Sequence, residues 1–282
     1  MPFIRASARI IAIGLALAGP AAAGAGGFVQ RLAAEHADDV PRANAVFGHA
    51  GIETRSVDYA TVAGEPVAGY LARPADADQP QPALLVIHEW WGLNDPVRTM
   101  TRRLAAQGYV ALAVDLYEGR TAAEPGAARR LMQQAMAQPG RLRRNLRQAF
   151  FHLEVMPSTG RIGSIGWCFG GSWSLRAATL LPRDLDAAVV YYGRPVTDAA
   201  ALRPLGMPIQ GHFGAEDTSI PVERVRRFER LLAELGKPHE IHVYEGAGHA
   251  FANPSGERYV AGAAGRAWDR TLRFLDRALR PD

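Results

Sequence analysis

The fold is decided by residues 161–171, which read Arg-Ile-Gly-Ser-Ile-Gly-Trp-Cys-Phe-Gly-Gly and contain the only cysteine of the chain. The small and apolar residues before Cys168 predict a buried strand. Gly166 and Gly170 predict a sharp turn into a helix, because they leave room where a Cβ would collide with the neighbouring backbone. A thiol at this turn would lie at a helix N-terminus, which favours the thiolate, and the Phe169 N–H would be free to bind an oxyanion. The stretch therefore predicts a nucleophile elbow; the alternative is an inert, buried cysteine beside a helix cap.

Two later strand ends supply candidates for an acid and a base. Residues 207–214 read as a strand that runs into a loop containing Asp217, and residues 240–244 read as a strand followed by a glycine-containing loop with His249. Either residue alone would more often be a loop charge or a hydrogen-bonded histidine. Together with Cys168 they follow the chain order nucleophile, acid, base of the α/β-hydrolases. We therefore predict that Asp217 orients His249 and that His249 is the base.

A fourth candidate, Glu89, follows a short apolar strand at residues 83–87. It lies where open α/β sheets place their ligands, and a carboxylate there could hold or accept the thiol proton. The adjacent Trp90 and Trp91 would exclude water, or alternatively pack in the core under a loop. A zinc-protease motif would need His-Glu-x-x-His, but its last position is Gly92. We predict neither a metal nor an organic cofactor.

With these motifs in view, the chain resembles the dienelactone hydrolase family, the cysteine-dependent branch of the α/β-hydrolases, from about Tyr59 to the C-terminus. The resemblance implies a Cys168–His249–Asp217 triad, with Glu89 helping to set the ionisation of the thiol. It also implies that the Trp90 N–H joins that of Phe169 in the oxyanion hole. The matching segments are residues 86–94, 113–117, 166–171, 214–217 and 248–251.

At the substrate end, the resemblance implies a lactone whose carboxylate is held by two arginines. One would follow the Asp-Leu-Tyr segment, where Arg120 matches only if the loop is shifted by one residue, and the other would follow His249, where residues 250–253 hold none. An ester, lactone or thioester without that anion is equally compatible with the catalytic residues. The predicted substrate-binding residues are Trp91, Tyr117, Arg120 and Phe251.

Alternating strand and helix patterns after Tyr59 predict an α/β-hydrolase fold, with a mostly parallel central sheet, helices on both faces and an N-terminal antiparallel edge hairpin. Residues 56–62 and 66–72 form the predicted hairpin. The other predicted strands are 83–87, 110–114, 162–166, 187–192, 209–213 and 241–244. The predicted helices are 96–107, 127–137, 142–155, 170–180, 221–235 and 258–279.

The N-terminus reads as an export signal. Arg5 and Arg9 precede an apolar stretch at residues 10–18, which is too short for a comfortable membrane span, and an Ala-x-Ala pattern ends at Ala23. We predict cleavage near Ala23, a periplasmic location and no stable membrane insertion afterwards; an uncleaved anchor is the alternative. The predicted organisation is a signal peptide at 1–23, a helix and linker at 24–53, with residues 28–49 packing outside the domain, and a single domain at 54–282.

The formal net charge of +4 falls to +2 once the signal is removed, so it predicts no nucleic-acid partner. Arg141, Arg143, Arg144 and Arg147 share one predicted helix, which is either a solvated face or a polyanion-binding surface without interleaved aromatic residues.

These patterns predict a hydrolase that cleaves a small-molecule lactone or ester through a thioester acyl-enzyme. Two alternatives remain open: a broad-specificity periplasmic esterase or thioesterase, and a non-catalytic module that keeps the fold and binds a ligand. The oligomeric state is not predicted.

Overall fold

The computed structural model describes residues 23–35, 51–76 and 78–280. Its strands form one sheet in the order β1-β2-β4-β3-β5-β6-β7-β8. The β1/β2 hairpin is antiparallel, and β2 also pairs antiparallel with β4, whereas all other neighbours are parallel. The strands are β1 Ile52–Val62, β2 Glu65–Pro74, β3 Gln81–Ile87, β4 Val110–Val114, β5 Thr159–Trp167, β6 Ala187–Tyr191, β7 Ile209–Gly214 and β8 His239–Tyr244.

Helices cover both faces of the sheet because its central strands are apolar along their whole length and need burial on both sides. In β4, β6 and β7 every residue is buried. The helices are α1 Ala23–Glu35, α2 Asp95–Ala105, α3 Pro125–Met136, α4 Pro139–Glu154, α5 Phe169–Leu180, α6 Ala199–Leu202, α7 Val222–Glu234 and α8 Ala261–Leu279. The predicted fold class is confirmed, including the edge hairpin.

Element boundaries differ from the sequence prediction mainly at N-termini. Strand β1 begins at Ile52, earlier than predicted, because its first residues pair with the end of β2, and this pairing is a tertiary contact that periodicity does not encode. Helix α4 begins at Pro139, since proline is well tolerated in a first helical turn. The short helix α6, capped by the Asp198 side chain, was not predicted.

The N-terminal helix α1 begins at Ala23, and its Val29 and Leu32 side chains are buried in the hydrophobic core. Residues 1–22, with most of the predicted signal, and residues 36–50, with most of the predicted linker, lie outside the described residues. In the described part of the chain, no helix is both long and apolar enough to cross a membrane.

Candidate active site

Cys168 lies at the turn between β5 and α5, with φ 57° and ψ −117°. A non-glycine residue in this region of backbone space is strained by about 1–3 kcal/mol. The turn is possible because a Cβ on Gly166 would lie 2.2 Å from the Gly170 carbonyl oxygen, and one on Gly170 would lie 2.1 Å from the Ile87 carbonyl oxygen. The two glycines thus let strand and helix approach closely enough to project the thiol from the end of the sheet.

His249 and Asp217 meet at the same edge of the sheet, and His249 Nδ1 lies 2.7 Å from one Asp217 oxygen. The other carboxylate oxygen accepts hydrogen bonds from the backbone N–H groups of Ser219 and Ile220, at 2.9 and 2.7 Å. These bonds hold the carboxylate against Nδ1 of the ring. Burial alone would raise the pKa of Asp217, but His249 and the two N–H groups outweigh it and lower the pKa.

The Cys168 side chain interacts with His249, and the pKa values of both side chains are raised. Burial raises the pKa of the Cys168 thiol, the nearby Glu89 carboxylate raises it further, and His249 and the Phe169 N–H only partly offset them. For His249, burial would lower the pKa, but Asp217 and Cys168 raise it well above its usual value. Burial and Glu89 therefore oppose ionisation of the thiol, whereas Asp217 stabilises the imidazolium that forms when His249 takes up a proton.

Glu89 is held in place by two side chains that the sequence reasoning missed. Its Oε1 accepts a hydrogen bond from the Tyr192 hydroxyl at 3.2 Å, and its Oε2 accepts one from the Asn253 amide at 2.6 Å. Asn253 is fixed in turn by the backbone N–H and hydroxyl of Ser255, which donate to its side-chain oxygen. Tyr192 also packs against the His249 ring, with centroids 5.1 Å apart. The carboxylate is therefore fixed close to the nucleophile and the base.

The only available signal for Tyr192 was its position at the end of β6, and the only one for Asn253 was its place in the segment that follows His249. Tyr192 directly follows β6 and has φ 36°, while Ala250, next to His249, has φ 61°. Such backbone outliers cluster at functional sites, and here they lie beside Cys168 and His249. A strand end marks many residues in an α/β fold, so position alone could not single these two out.

His88 is a buried histidine that connects two loops of the site. Its Nδ1 donates to the Glu89 carbonyl oxygen at 2.5 Å, and its Nε2 accepts from the Leu116 N–H at 3.1 Å. Burial lowers the pKa of His88, which is consistent with this neutral tautomer. The ring thus ties the loop after β3 to the loop after β4 and holds the Glu89 carbonyl group in place.

An apolar cleft opens beside Glu89, with an empty volume of about 440 Å³. Most of its wall is aromatic or aliphatic, and Glu89 is the only charged side chain among its described lining residues. The lining residues are Glu89, Trp91, Asn94, Pro96, Val97, Met100, Trp167, Tyr192, Ala252, Asn253, Pro254 and Ser255. A neighbouring hollow shares Met100 and Trp167 with this cleft and adds Arg103, whose guanidinium lies 3.9 Å from the centre of the Trp268 ring.

The four predicted substrate-binding residues do not lie together in the structure. Trp91 lines the cleft. Tyr117 is buried against His88 and Phe169, and burial followed by the charge of Cys168 raises its pKa. Arg120 does not line the cleft, since its guanidinium donates to the Tyr117 carbonyl oxygen and to the Gln134 side chain. Phe251 is fully buried and packs against Tyr192 and Tyr244.

The predicted oxyanion donors follow the nucleophile and Glu89 in the chain. Phe169 opens α5 directly after Cys168, and its backbone N–H interacts with the thiol. Trp90 is buried and packs edge to face against Trp91, with centroids 5.0 Å apart. The indole of Trp90 therefore packs in the core, which was the alternative role considered for the two tryptophans. Trp91 instead lines the cleft.

The sheet order, the edge hairpin and the elbow after β5 define an α/β-hydrolase. The sequence model of the dienelactone hydrolase family matches residues 67–279, and the chain belongs to that family.

Known proteins agree with this assignment. A protein of Saccharolobus solfataricus, provisionally named a carboxymethylenebutenolidase, is 30% identical over 250 residues, which cover 76% of this chain and 95% of the relative. A similarly named protein of Synechocystis is 32% identical over 233 residues, covering 76% of this chain and 93% of the relative. A crystal structure from Klebsiella pneumoniae, provisionally named a dienelactone hydrolase, superposes with a TM-score of 0.71 at 28% identity and covers 79% of this chain and 98% of its own.

Proposed function

We propose that the chain hydrolyses a carboxylic ester or lactone through Cys168 as nucleophile, His249 as base and Asp217 as the residue that orients the base. The observation that carries the proposal is the 2.7 Å contact between His249 Nδ1 and Asp217, made by a histidine that also interacts with the thiol at the elbow. This is the arrangement of a nucleophile, base and orienting acid. The dienelactone hydrolase family supplies the reaction class.

The proposed reaction has two halves. In the first, the thiolate attacks the ester carbonyl, the C–O bond breaks, and the alcohol leaves with a proton from His249, so that a thioester on Cys168 remains. In the second, His249 takes a proton from water, the hydroxide attacks the thioester, and the carboxylic acid and free thiol are released. The N–H groups of Phe169 and Trp90 bind the oxyanion of each tetrahedral intermediate.

Glu89 would set the ionisation of the nucleophile in this scheme. A buried carboxylate held by Tyr192 and Asn253 raises the pKa of the thiol, so the resting cysteine stays protonated. The thiol is also only 2% exposed, so the side chains around it must shift when the substrate carbonyl approaches. A neutral, covered thiol resists oxidation, and that protection matters in an oxidising compartment. Proton transfer to His249 or Glu89 would then accompany substrate binding.

The cleft supports a substrate whose acyl side is apolar and uncharged. Its wall is mostly aromatic and aliphatic, and its one charge, Glu89, repels a carboxylate next to the reacting carbonyl. Among the described residues that line the cleft and the adjoining hollow, the positive charge is that of Arg103, in the hollow. Neutral aryl or medium-chain esters and lactones should therefore be hydrolysed faster than lactones that carry a carboxylate.

A substrate panel with intact-mass measurement tests both parts of the proposal. Nitrophenyl esters, thioesters and lactones with and without a carboxylate would be offered to the native chain and to Cys168→Ala, Cys168→Ser and His249→Ala. His239→Ala, which removes a partly exposed histidine at the start of β8, is the control. We expect activity and an acyl adduct in the native chain and the control. The three site variants should lose activity by about 10³-fold or more, and the two Cys168 variants should have melting temperatures within a few degrees of the native value.

Other outcomes would redirect the assignment. Unchanged turnover in Cys168→Ala would exclude the cysteine mechanism, and a preference for thioesters would favour the thioesterase alternative. Tight binding of an ester with no product from any substrate would favour the non-catalytic module.

We further propose that the chain is exported and that cleavage near Ala23 releases it. The proposal rests on the basic, apolar and Ala-x-Ala segments of the N-terminus. Cleavage there would leave the buried Val29 and Leu32 of α1 on the mature chain. N-terminal mass analysis of periplasmic protein should find a chain that begins near Gly24, and a chain that retains residues 1–22 would contradict the proposal.

A further inference from the structure

A groove between α4, α5 and the α6 region, away from the cleft beside Glu89, is lined by several positively charged side chains. Its empty volume is about 1110 Å³, and four of its lining side chains are arginines. Arg143, Arg144 and Arg147 come from α4, and Arg176 comes from α5, the helix that begins directly after Cys168. The remaining lining residues are Gly140, Thr179, Leu180, Ala201 and Pro204.

The four guanidinium groups lack acidic partners among the described residues. Other arginines of the protein do pair with acids, as Arg73 does with Glu53 and Arg226 with Glu229. Arg176 is half-buried and packs near the Trp173 ring at 5.4 Å. Burial lowers its pKa, and the positive charge of Arg143 lowers it further, so the two like charges lie close together. Gathering like charges around a partly desolvated arginine is unfavourable unless an anion joins them.

Helix polarity adds to the positive potential at one end of the groove. Gly140 lies in the first turn of the 16-residue helix α4, which has no acidic residue in that turn and no side-chain cap. The N-terminus of a helix carries roughly half a positive charge and attracts anions. The C-terminus of α5, near Thr179 and Leu180, offers only about half a negative charge in return, far less than four guanidinium groups carry.

We propose that this groove binds a compact anion with several phosphate groups, at a site separate from the catalytic cleft. Guanidinium groups bind phosphate oxygens through paired N–H donors, and four of them around one hollow match a di- or triphosphate group better than a single carboxylate. A long nucleic-acid strand fits less well, because aromatic side chains for base stacking do not line the groove. The phosphates could be free or attached to a small organic molecule.

Calorimetric titration of the full chain at low ionic strength tests the proposal. The probes are inorganic tripolyphosphate, fructose bisphosphate as an organic source of phosphate, and citrate as a carboxylate control. The variants are Arg143→Gln/Arg176→Gln and, in case Arg176 is needed for folding, Arg144→Gln/Arg147→Gln. The matched control is Arg227→Gln/Arg230→Gln, which removes two exposed charges from α7.

We expect one of the two phosphate probes to bind the native chain, and the tighter of them identifies the source of the phosphates. The groove variants should weaken that binding about tenfold or more, and the control about twofold or less. Ester hydrolysis should be the same in all variants, so the result does not depend on the catalytic proposal. Absence of binding, equal binding of citrate, or equal loss in the α7 control would overturn the inference.

Discussion

Glu89 places a negative charge beside a buried thiol, and its removal should change the ionisation of Cys168 in a known direction. Because the carboxylate raises the pKa of the thiol, Glu89→Gln should lower that pKa while the glutamine still accepts a hydrogen bond from Tyr192. The pH titration of ultraviolet thiolate absorbance should therefore shift to lower pH in the variant. Glu245→Gln, which neutralises an exposed carboxylate, is the control and should titrate like the native chain. A midpoint that stays in place or rises would contradict this role.

Asn253 occupies the segment where the resemblance implies a substrate-binding arginine. Its side-chain amide donates to the Glu89 carboxylate at 2.6 Å, so Asn253 binds a carboxylate of the protein and not one on a substrate. With Arg120 turned toward Gln134, neither position implied by the resemblance brings an arginine into the cleft. These side chains support the proposed preference for an uncharged ester over a carboxylated lactone.

The β5–turn–α5 unit depends on backbone contacts that leave no space for a side chain. Gly170→Ala would place a Cβ 2.1 Å from the carbonyl oxygen of Ile87, and backbone cannot yield as a flexible side chain could. We expect this variant to lose about 3 kcal/mol or more of unfolding free energy, or to fail to fold. Urea unfolding followed by circular dichroism measures the change.

Gly265→Ala is the matched control for that prediction. Gly265 lies inside α8, and a Cβ there would meet nothing within 4 Å. Because alanine has the higher helix propensity, this variant should be more stable than the native chain by about 0.5–1 kcal/mol. If both variants changed stability equally, the close packing at the elbow would not be the cause.

The buried Asp217–His249 pair should link the folding stability of the protein to pH. The pKa of Asp217 is lowered on folding, so its contribution is present above the unfolded value of about 3.9 and is lost as the pH falls through the folded value. The pKa of His249 is raised on folding, so its contribution is complete below about 6.5 and is lost as the pH rises through the folded value. Between about pH 4 and 6.5 both contributions are present.

The comparison of native chain and Asp217→Asn measures this linkage. The native chain should have its greatest advantage in unfolding free energy near pH 5, a smaller one near pH 8 and the smallest near pH 3. Urea midpoints at the three pH values give the result. An advantage that grows toward pH 3 would mean that the carboxylate is not held in its charged form by the histidine.

Local patterns in the sequence were sufficient to predict the fold class and the nucleophile, acid and base candidates, because each has a local signature. The glycines around Cys168 are required by a turn whose strain is local, and the apolar strands alternate with amphipathic helices along the chain. The predicted positions of Asp217 and His249 followed from strand ends, and the structure brings the two side chains within hydrogen-bond distance. Their catalytic roles remain predictions.

The other side chains that meet at the site became visible only in the folded chain. Tyr192 and Asn253 reach Glu89 across 103 and 164 residues of chain. The direction in which Arg120 points depends on a partner in α3, and the assembly of one arginine groove from α4 and α5 depends on how those helices pack. These contacts depend on loop paths and on packing between distant elements. Several polar residues would fit the local sequence pattern equally well, so the pattern does not identify which of them makes the contact.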